Sequence, residues 1–287
     1  FMSSLHAMVS SGGRIFYIID EGLRNHIFLP SDWKLVARDA YNGTILWKQK
    51  LKDWHPNNWP LKSGPGDLPR RLAATPDTVY ATAGLIAPLT AFDAKTGKIL
   101  RTYEGTDATV EIIYSDGILF LLTDPKKTPP RYSAKTATYA EIKHANSGWA
   151  WTPESPERKI VVLNAKTGKI LWQYSSKVAP LTLTVNQNQV FFHNGTSLVC
   201  LDRRNGKKQW VSEPVPVKSV PTGCSLRVAY SDGVTVFASG VNMTAFDART
   251  GKTLWKEKLL KTSHHCPEDL FIINGQIWSP NTGKPQL

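Results

Sequence analysis

The 287-residue chain has three cysteines, Cys200, Cys224 and Cys266, with no two adjacent and no Cys-x-x-Cys pair. That excludes a zinc ribbon and a dithiol redox motif. Cys200 falls in an apolar, strand-like run and reads as an inert core residue. Cys224 and Cys266 fall in loops, where a disulfide between them stays open. No apolar run is long enough to span a bilayer as a helix, and there is no signal peptide. The chain opens on Phe1, without an initiator Met, inside what reads as a repeat. We therefore expect a segment of a longer protein, whose missing targeting signal says nothing of compartment. Dinucleotide fingerprints, phosphate-binding loops and serine nucleophile elbows are missing too.

Acidic residues are the scarcer charge. Asp and Glu number 23 against 35 Lys and Arg, a formal net charge of +12. Such an excess suits an acidic partner or surface. A simpler source is a recurring turn that carries its own cations: Lys95, Lys98, Lys166, Lys169, Arg203, Arg204, Lys207, Lys208, Arg249 and Lys252. No nucleic-acid-reading motif accompanies them, so no nucleic acid partner is expected.

What is present is one hairpin, written repeatedly. Met243 to Trp255, MTAFDARTGKTLW, reads as a strand, a turn and a returning strand. Asp247 can accept backbone N–H bonds from the residues ahead of it, and Gly251 can adopt positive φ. Val36 to Trp47, Leu89 to Arg101, Ile160 to Trp172 and Leu198 to Trp210 repeat it, anchored at Asp39, Asp93, Asn164 and Asp202. Arg101 stands where the others have tryptophan. A worn sixth copy, Pro280-Asn281-Thr282-Gly283-Lys284, has no recognisable strand before it. Upstream of these turns, pairs such as Asp116-Gly117, Asp232-Gly233 and Asn274-Gly275 precede β-branched and aromatic runs, a second hairpin. Each unit is therefore four antiparallel strands at a period near 40 residues, the signature of a β-propeller blade.

The pattern Ala-x-Asp-x-x-Thr-Gly-x-x-x-Trp resembles the tryptophan-docking motif of the pyrroloquinoline-quinone (PQQ)-type β-propeller repeat family. That family includes the propeller lipoproteins of bacterial outer-membrane assembly. The runs Gly66 to Leu72 and Pro267 to Leu270 also resemble propeller segments of large exported bacterial proteins. The resemblance implies an all-β propeller of about six recognisable units, five clear and the last partial. They fall at about 1–52, 68–104, 109–175 (with an insertion at 124–158), 179–213, 224–258 and 268–287, in one domain. The ring is either closed by the amino-terminal strands or part of one with seven or eight blades. The resemblance also implies that Trp47, Trp172, Trp210 and Trp255 dock onto neighbouring turns.

Three loops carry chemistry-bearing residues. Asp53 to Arg71 holds Trp54, His55, Trp59, Arg70 and Arg71, a set suited to stacking on a sugar or a flat aromatic ligand, and reads equally as a long linker packed over the propeller face, its prolines and glycines fixing the path. Asp124 to Arg158 interrupts the third unit and holds Trp149 and Trp151. It reads as a lid or partner-docking loop, with a short helix at Ser133 to Ala145. Ser263 to Asp269 holds His264 and His265, whose adjacent side chains point opposite ways on a strand, so no metal site is expected. The quinone dehydrogenases among the resembling proteins use an adjacent-cysteine disulfide and acidic calcium ligands. This sequence has no Cys-Cys pair and no recognisable acidic segment of that kind. The expectation is a non-catalytic binding and scaffolding module, with a protein or polysaccharide partner on its loop face, in the periplasm or outside the cell. A PQQ- and calcium-dependent oxidoreductase, or a module of a larger exported enzyme, is the alternative.

Overall fold

In the computed structural model, the described residues are 5–23, 31–52, 54, 68–125, 151–217, 226–239, 242–258 and 270–279. They form antiparallel sheets, as the alternating runs predict. The first sheet is a meander of β1 (Leu5–Ser11), β2 (Arg14–Asp20), β3 (Trp33–Asp39) and β4 (Ile45–Lys50). The second joins β5 (Leu72–Ala74), β6 (Thr78–Thr82), β7 (Leu89–Asp93) and β8 (Ile99–Thr102) in order. The third contains β9 (Thr109–Ser115), β10 (Ile118–Thr123), β11 (Arg158–Asn164) and β12 (Ile170–Ser176).

The fourth sheet is β13 (Thr184–Val185), β14 (Gln189–His193), β15 (Leu198–Asp202) and β16 (Lys208–Val211). The fifth is β17 (Arg227–Ser231), β18 (Val234–Ala238), β19 (Asn242–Asp247) and β20 (Thr253–Lys258). A sixth has two described strands, β21 (Phe271–Ile273) and β22 (Gln276–Trp278). A 3-10 turn covers Leu68–Arg71. The sequence predicts a strand over Leu181 to Val185, but β13 starts only at Thr184. Leu181 has a φ of 61°, and the Thr182 hydroxyl donates back to the Ala179 carbonyl at 2.8 Å, forming a turn instead.

Two compact units are distinguished: Phe1–Trp149 with Val161–Ile170, and Ala150–Ile160 with Leu171–Leu287. In the first, Phe16, Trp33, Leu35, Trp47, Val79 and Phe92 belong to one buried apolar cluster. In the second, Phe191, Leu198, Cys200, Phe237 and Phe246 belong to another. The central strands of the second to fifth sheets read as nearly continuous buried runs because both faces are covered. The outer strands β4, β8, β16 and β20 are mostly exposed.

Strand order decides what lies at each end of a sheet. In a four-stranded meander, the first-to-second and third-to-fourth connections share one end. The second-to-third and outgoing connections share the other. The first set is short everywhere. Asp116-Gly117, Asp232-Gly233 and Asn274-Gly275 all have positive φ at both positions, the geometry of two-residue type I′ turns. The second set holds the long segments: 21–32, 51–71, 124–157, 212–226 and 259–270.

Candidate binding face

The tight-turn end is consumed by packing. Asp39 Oδ1 accepts from the Tyr41 and Asn42 amides at 2.9 and 3.0 Å. Asp93 Oδ1 accepts from the Lys95 and Thr96 amides and the Thr96 hydroxyl, at 3.0, 2.7 and 2.9 Å. Asn164, Asp202 and Asp247 accept in the same way. Hydrogen bonds from Thr96 and Thr250 hold the Asp93 and Asp247 carboxyls below the usual range. In each turn the glycine amide bonds the anchor's carbonyl, as Gly97 does to Asp93 at 2.8 Å.

Onto these turns the preceding sheet lays a ring. In the first unit, Trp47 Nε1 donates to the Ala94 carbonyl at 3.1 Å. In the second, Trp172 Nε1 donates to Arg203 O at 2.8 Å and Trp210 Nε1 to Ala248 O at 3.0 Å. The accepting carbonyl always belongs to the residue after the turn's anchor. Each indole covers that turn's glycine: Gly97, Gly206 and Gly251. A buried indole contributes a few kcal/mol of apolar burial, provided its N–H finds a partner. Trp255 sits half-buried beside Ala245, Leu270 and Ile272. The turn it would meet, 280–284, lies outside the described residues.

The sequence missed the group that serves where tryptophan is absent. Tyr103 Oη donates to the Ala165 carbonyl at 2.6 Å, and the Arg101 guanidinium lies over Gly168. The signal was available: Tyr103 stands two residues after Arg101, on the same side of an extended chain. Arg203, one of the turn cations, is buried, with Nη1 donating to Asn186 O at 2.7 Å.

The stacking candidates divide. Trp54 is fully buried, edge-on to Trp33 with ring centroids 5.2 Å apart. Trp151 is 2% exposed and packs over Gly195 beside Pro153. Neither offers a ring face to solvent, which corrects the expectation that Trp54 stacks on a ligand and that Trp151 belongs to a binding face. Arg71 is likewise buried, whereas Arg70 is half-buried. His55, Trp59, Trp149, His264 and His265 lie outside the described residues, as do Cys224, Cys266 and the 133–145 stretch. Cys200 is a free, buried thiol pushed up to about 12, chiefly by burial. It is an inert core group, as the sequence implies.

The long-connection end of the fourth and fifth sheets holds a cleft of about 730 Å³, within the second unit. Val215 and Pro216 form one wall. The fifth sheet forms the other through two cross-strand rows. Phe237, Thr244 and Lys256 are register partners on β18, β19 and β20, and Asn242 faces Lys258 one row further out. Register partners share a sheet face, so these side chains line one surface. The wall at Val215 is fixed. Its amide donates to Thr196 O at 2.8 Å, and the Val217 amide to Gly195 O at 2.9 Å.

His193 braces that wall. Its Nδ1 accepts from the Gly195 amide at 3.0 Å, which leaves the proton on Nε2 to donate to Val215 O at 3.1 Å. The imidazole stacks on Phe237 at 4.2 Å, 7° from parallel. Burial drives its pKa down to about 4, so the ring is neutral near pH 7.

A quinone with calcium needs a cluster of oxygen ligands. Among the described residues no three His, Cys, Asp or Glu side chains come together to hold a metal ion.

Residues 141–266 match the family model described as outer membrane protein assembly factor BamB. The chain is 25% identical over 233 residues to outer membrane protein assembly factor BamB of Burkholderia pseudomallei (strain K96243), covering 72% of this chain and 60% of that protein. It is 28% identical over 170 residues to the dehydrogenase subunit of a quinone alcohol dehydrogenase of Acetobacter aceti, covering 48% and 22%. Among solved structures, quinohemoprotein alcohol dehydrogenase ADHIIG of Pseudomonas putida HK5 superposes with a TM-score of 0.55 at 12% identity, covering 91% of this chain and 43% of that one.

The chain is therefore an all-β protein of the β-propeller class, built from four-stranded antiparallel blades. The resemblance of its turns to PQQ-type propeller repeats is borne out, and its relatives include both BamB and quinone dehydrogenases. It spans less than two-thirds of the length of either relative.

Proposed function

We propose that this chain is a protein-binding scaffold module without chemistry of its own in these residues, and that partners dock at the long-connection end of its blades. The supporting observation is the contrast between the two ends. At the tight turns, carboxylates, amides and indoles are occupied in closing and covering the turns. At the other end lies an open cleft, walled by Val215 and Pro216 on one side and by Thr244, Lys256 and Lys258 on the other. Partners dock preferentially where a rigid scaffold presents variable loops. The tryptophan-docking arrangement is, in this reading, the device that makes the scaffold rigid. Similarity to an outer membrane protein assembly factor supports a protein partner and a working place in the periplasm or outside the cell.

The test is site-specific photo-crosslinking in the native cell. A photoreactive residue at Ser239 or Lys258 should trap a discrete protein, whereas one at Lys95 or Arg249 should not. Adducts from the turn end alone, or from neither, would contradict the proposal.

A quinone-dependent oxidoreductase is the second reading, favoured by the similarity to the alcohol dehydrogenase subunit. Tight binding of PQQ with calcium, together with dye reduction by an alcohol, would replace the scaffold reading.

A further inference from the structure

The proposed function leaves the chemistry of the partner open, and the cleft constrains it. Lys256 and Lys258 are both exposed and stand two apart on β20. Two residues along a strand separate the side chains by about 7 Å, and alternation puts both on the same face. That face is the cleft wall, because Lys256 pairs with Thr244 and Lys258 with Asn242. Among the described residues neither ammonium has an acidic or hydrogen-bonding partner. By contrast, Lys34, Lys48 and Lys50 of the first sheet are each ion-paired. Glu257, between the two, also lines the cleft, so the lysines outnumber the carboxylate there two to one.

Two further features narrow the choice. The sheet order is β17-β18-β19-β20, so β20 is an edge strand, and no described strand pairs with its outer side. An edge strand presents alternate N–H and C=O groups to any extended chain that lies along it. Phe237, buried and stacked on His193, and Thr244 back the cleft and hold its shape. A cleft of this size suits side chains rather than a broad flat surface.

We infer that the edge of β20 and the cleft behind it take an extended acidic peptide segment, with carboxylates at alternate positions paired to Lys256 and Lys258. An added strand has the same two-residue repeat as β20, so its Asp or Glu side chains at i and i+2 match the lysine spacing. This rests on the scaffold reading and specifies which partner chemistry it uses. A uronate-rich polysaccharide would bring similar charge without the backbone ladder or a fixed carboxylate spacing.

The experiment uses three fluorescent eight-residue peptides of alternating Thr and Glu, Thr and Gln, and Thr and Glu with one central residue replaced by Pro. Their anisotropy is read on the whole chain and on the Lys256→Gln/Lys258→Gln variant. Oligogalacturonate serves as competitor. The Glu peptide should bind at least about tenfold more tightly than the Gln and Pro peptides, and the variant should lose about that factor. Affinity should fall as salt rises. Both substitutions are at exposed positions, so an unchanged melting temperature marks the variant as folded. Equal affinity for Glu and Gln peptides, undiminished binding to the variant, or oligogalacturonate binding tighter than the peptide overturns the inference. If the peptides fail while cross-links still form from Ser239, only the acidic-strand inference falls. If cross-links fail as well, the scaffold reading falls with it.

Discussion

A Cβ placed on Gly97 would stand 2.7 Å from two carbons of the Trp47 indole. The ring leaves no room for a side chain there, beyond the demand that a φ of 73° already makes. Gly206 under Trp172 and Gly251 under Trp210 repeat the relationship at 2.6 and 2.5 Å. The turn and the ring of the preceding sheet are thus one packing device.

The glycine series separates two physical effects. Gly43 has the same backbone conformation, with a φ of 75°, but nothing lies within 4 Å of where its Cβ would be. Gly43→Ala should cost about 1 kcal/mol, the strain of a positive φ alone. Gly97→Ala, Gly206→Ala and Gly251→Ala should each cost about 3 kcal/mol, because the indole must also shift. Urea denaturation of the four variants checks the ranking.

Tyr103 should behave as a stand-in for tryptophan. Tyr103→Phe keeps the ring, which packs with Tyr80, and removes the donor to Ala165 O. The buried carbonyl then loses its partner, at about 1–2 kcal/mol. Calorimetry should show that drop, with Arg101→Lys, at a more exposed position, causing less.

His193 fixes a pH dependence. Its folded pKa, about 4, lies below its ordinary value of 6.5. Between these values the unfolded chain binds a proton that the native ring refuses, so stability is full above pH 6.5 and is lost as pH falls toward 4. The loss from this one group approaches about 3 kcal/mol. Unfolding free energies at pH 7, 5.5 and 4.5 should show that slope, and His193→Gln should lack this share of it.

The turns were legible because their chemistry is local. Asp, Thr and Gly at fixed offsets define the hydrogen bonds whatever lies beyond, and the strands follow from alternation between them. Tyr103 was hidden by a template that looked for an indole at one position only. Trp54 and Arg71 were misread because the proline-, glycine- and charge-rich stretch around them speaks for surface. Their burial depends on partners far away in sequence, such as Trp33 on β3. The cleft could not be read at all from adjacent residues, because the row Phe237, Thr244, Lys256 exists only through register across three strands.

The central claim is that the two ends of these blades do different work, one packing and one binding. The most direct measurement scores two sets of variants for both melting temperature and partner capture in cross-linked cells. Asp93→Ala and Asp247→Ala form the turn set; Ser239→Arg and Lys258→Glu form the long-connection set. The account predicts that the turn set lowers the melting temperature while capture per folded molecule persists, and that the long-connection set abolishes capture with the melting temperature unchanged. Full capture by the long-connection set, with capture lost from still-folded turn variants, would contradict it.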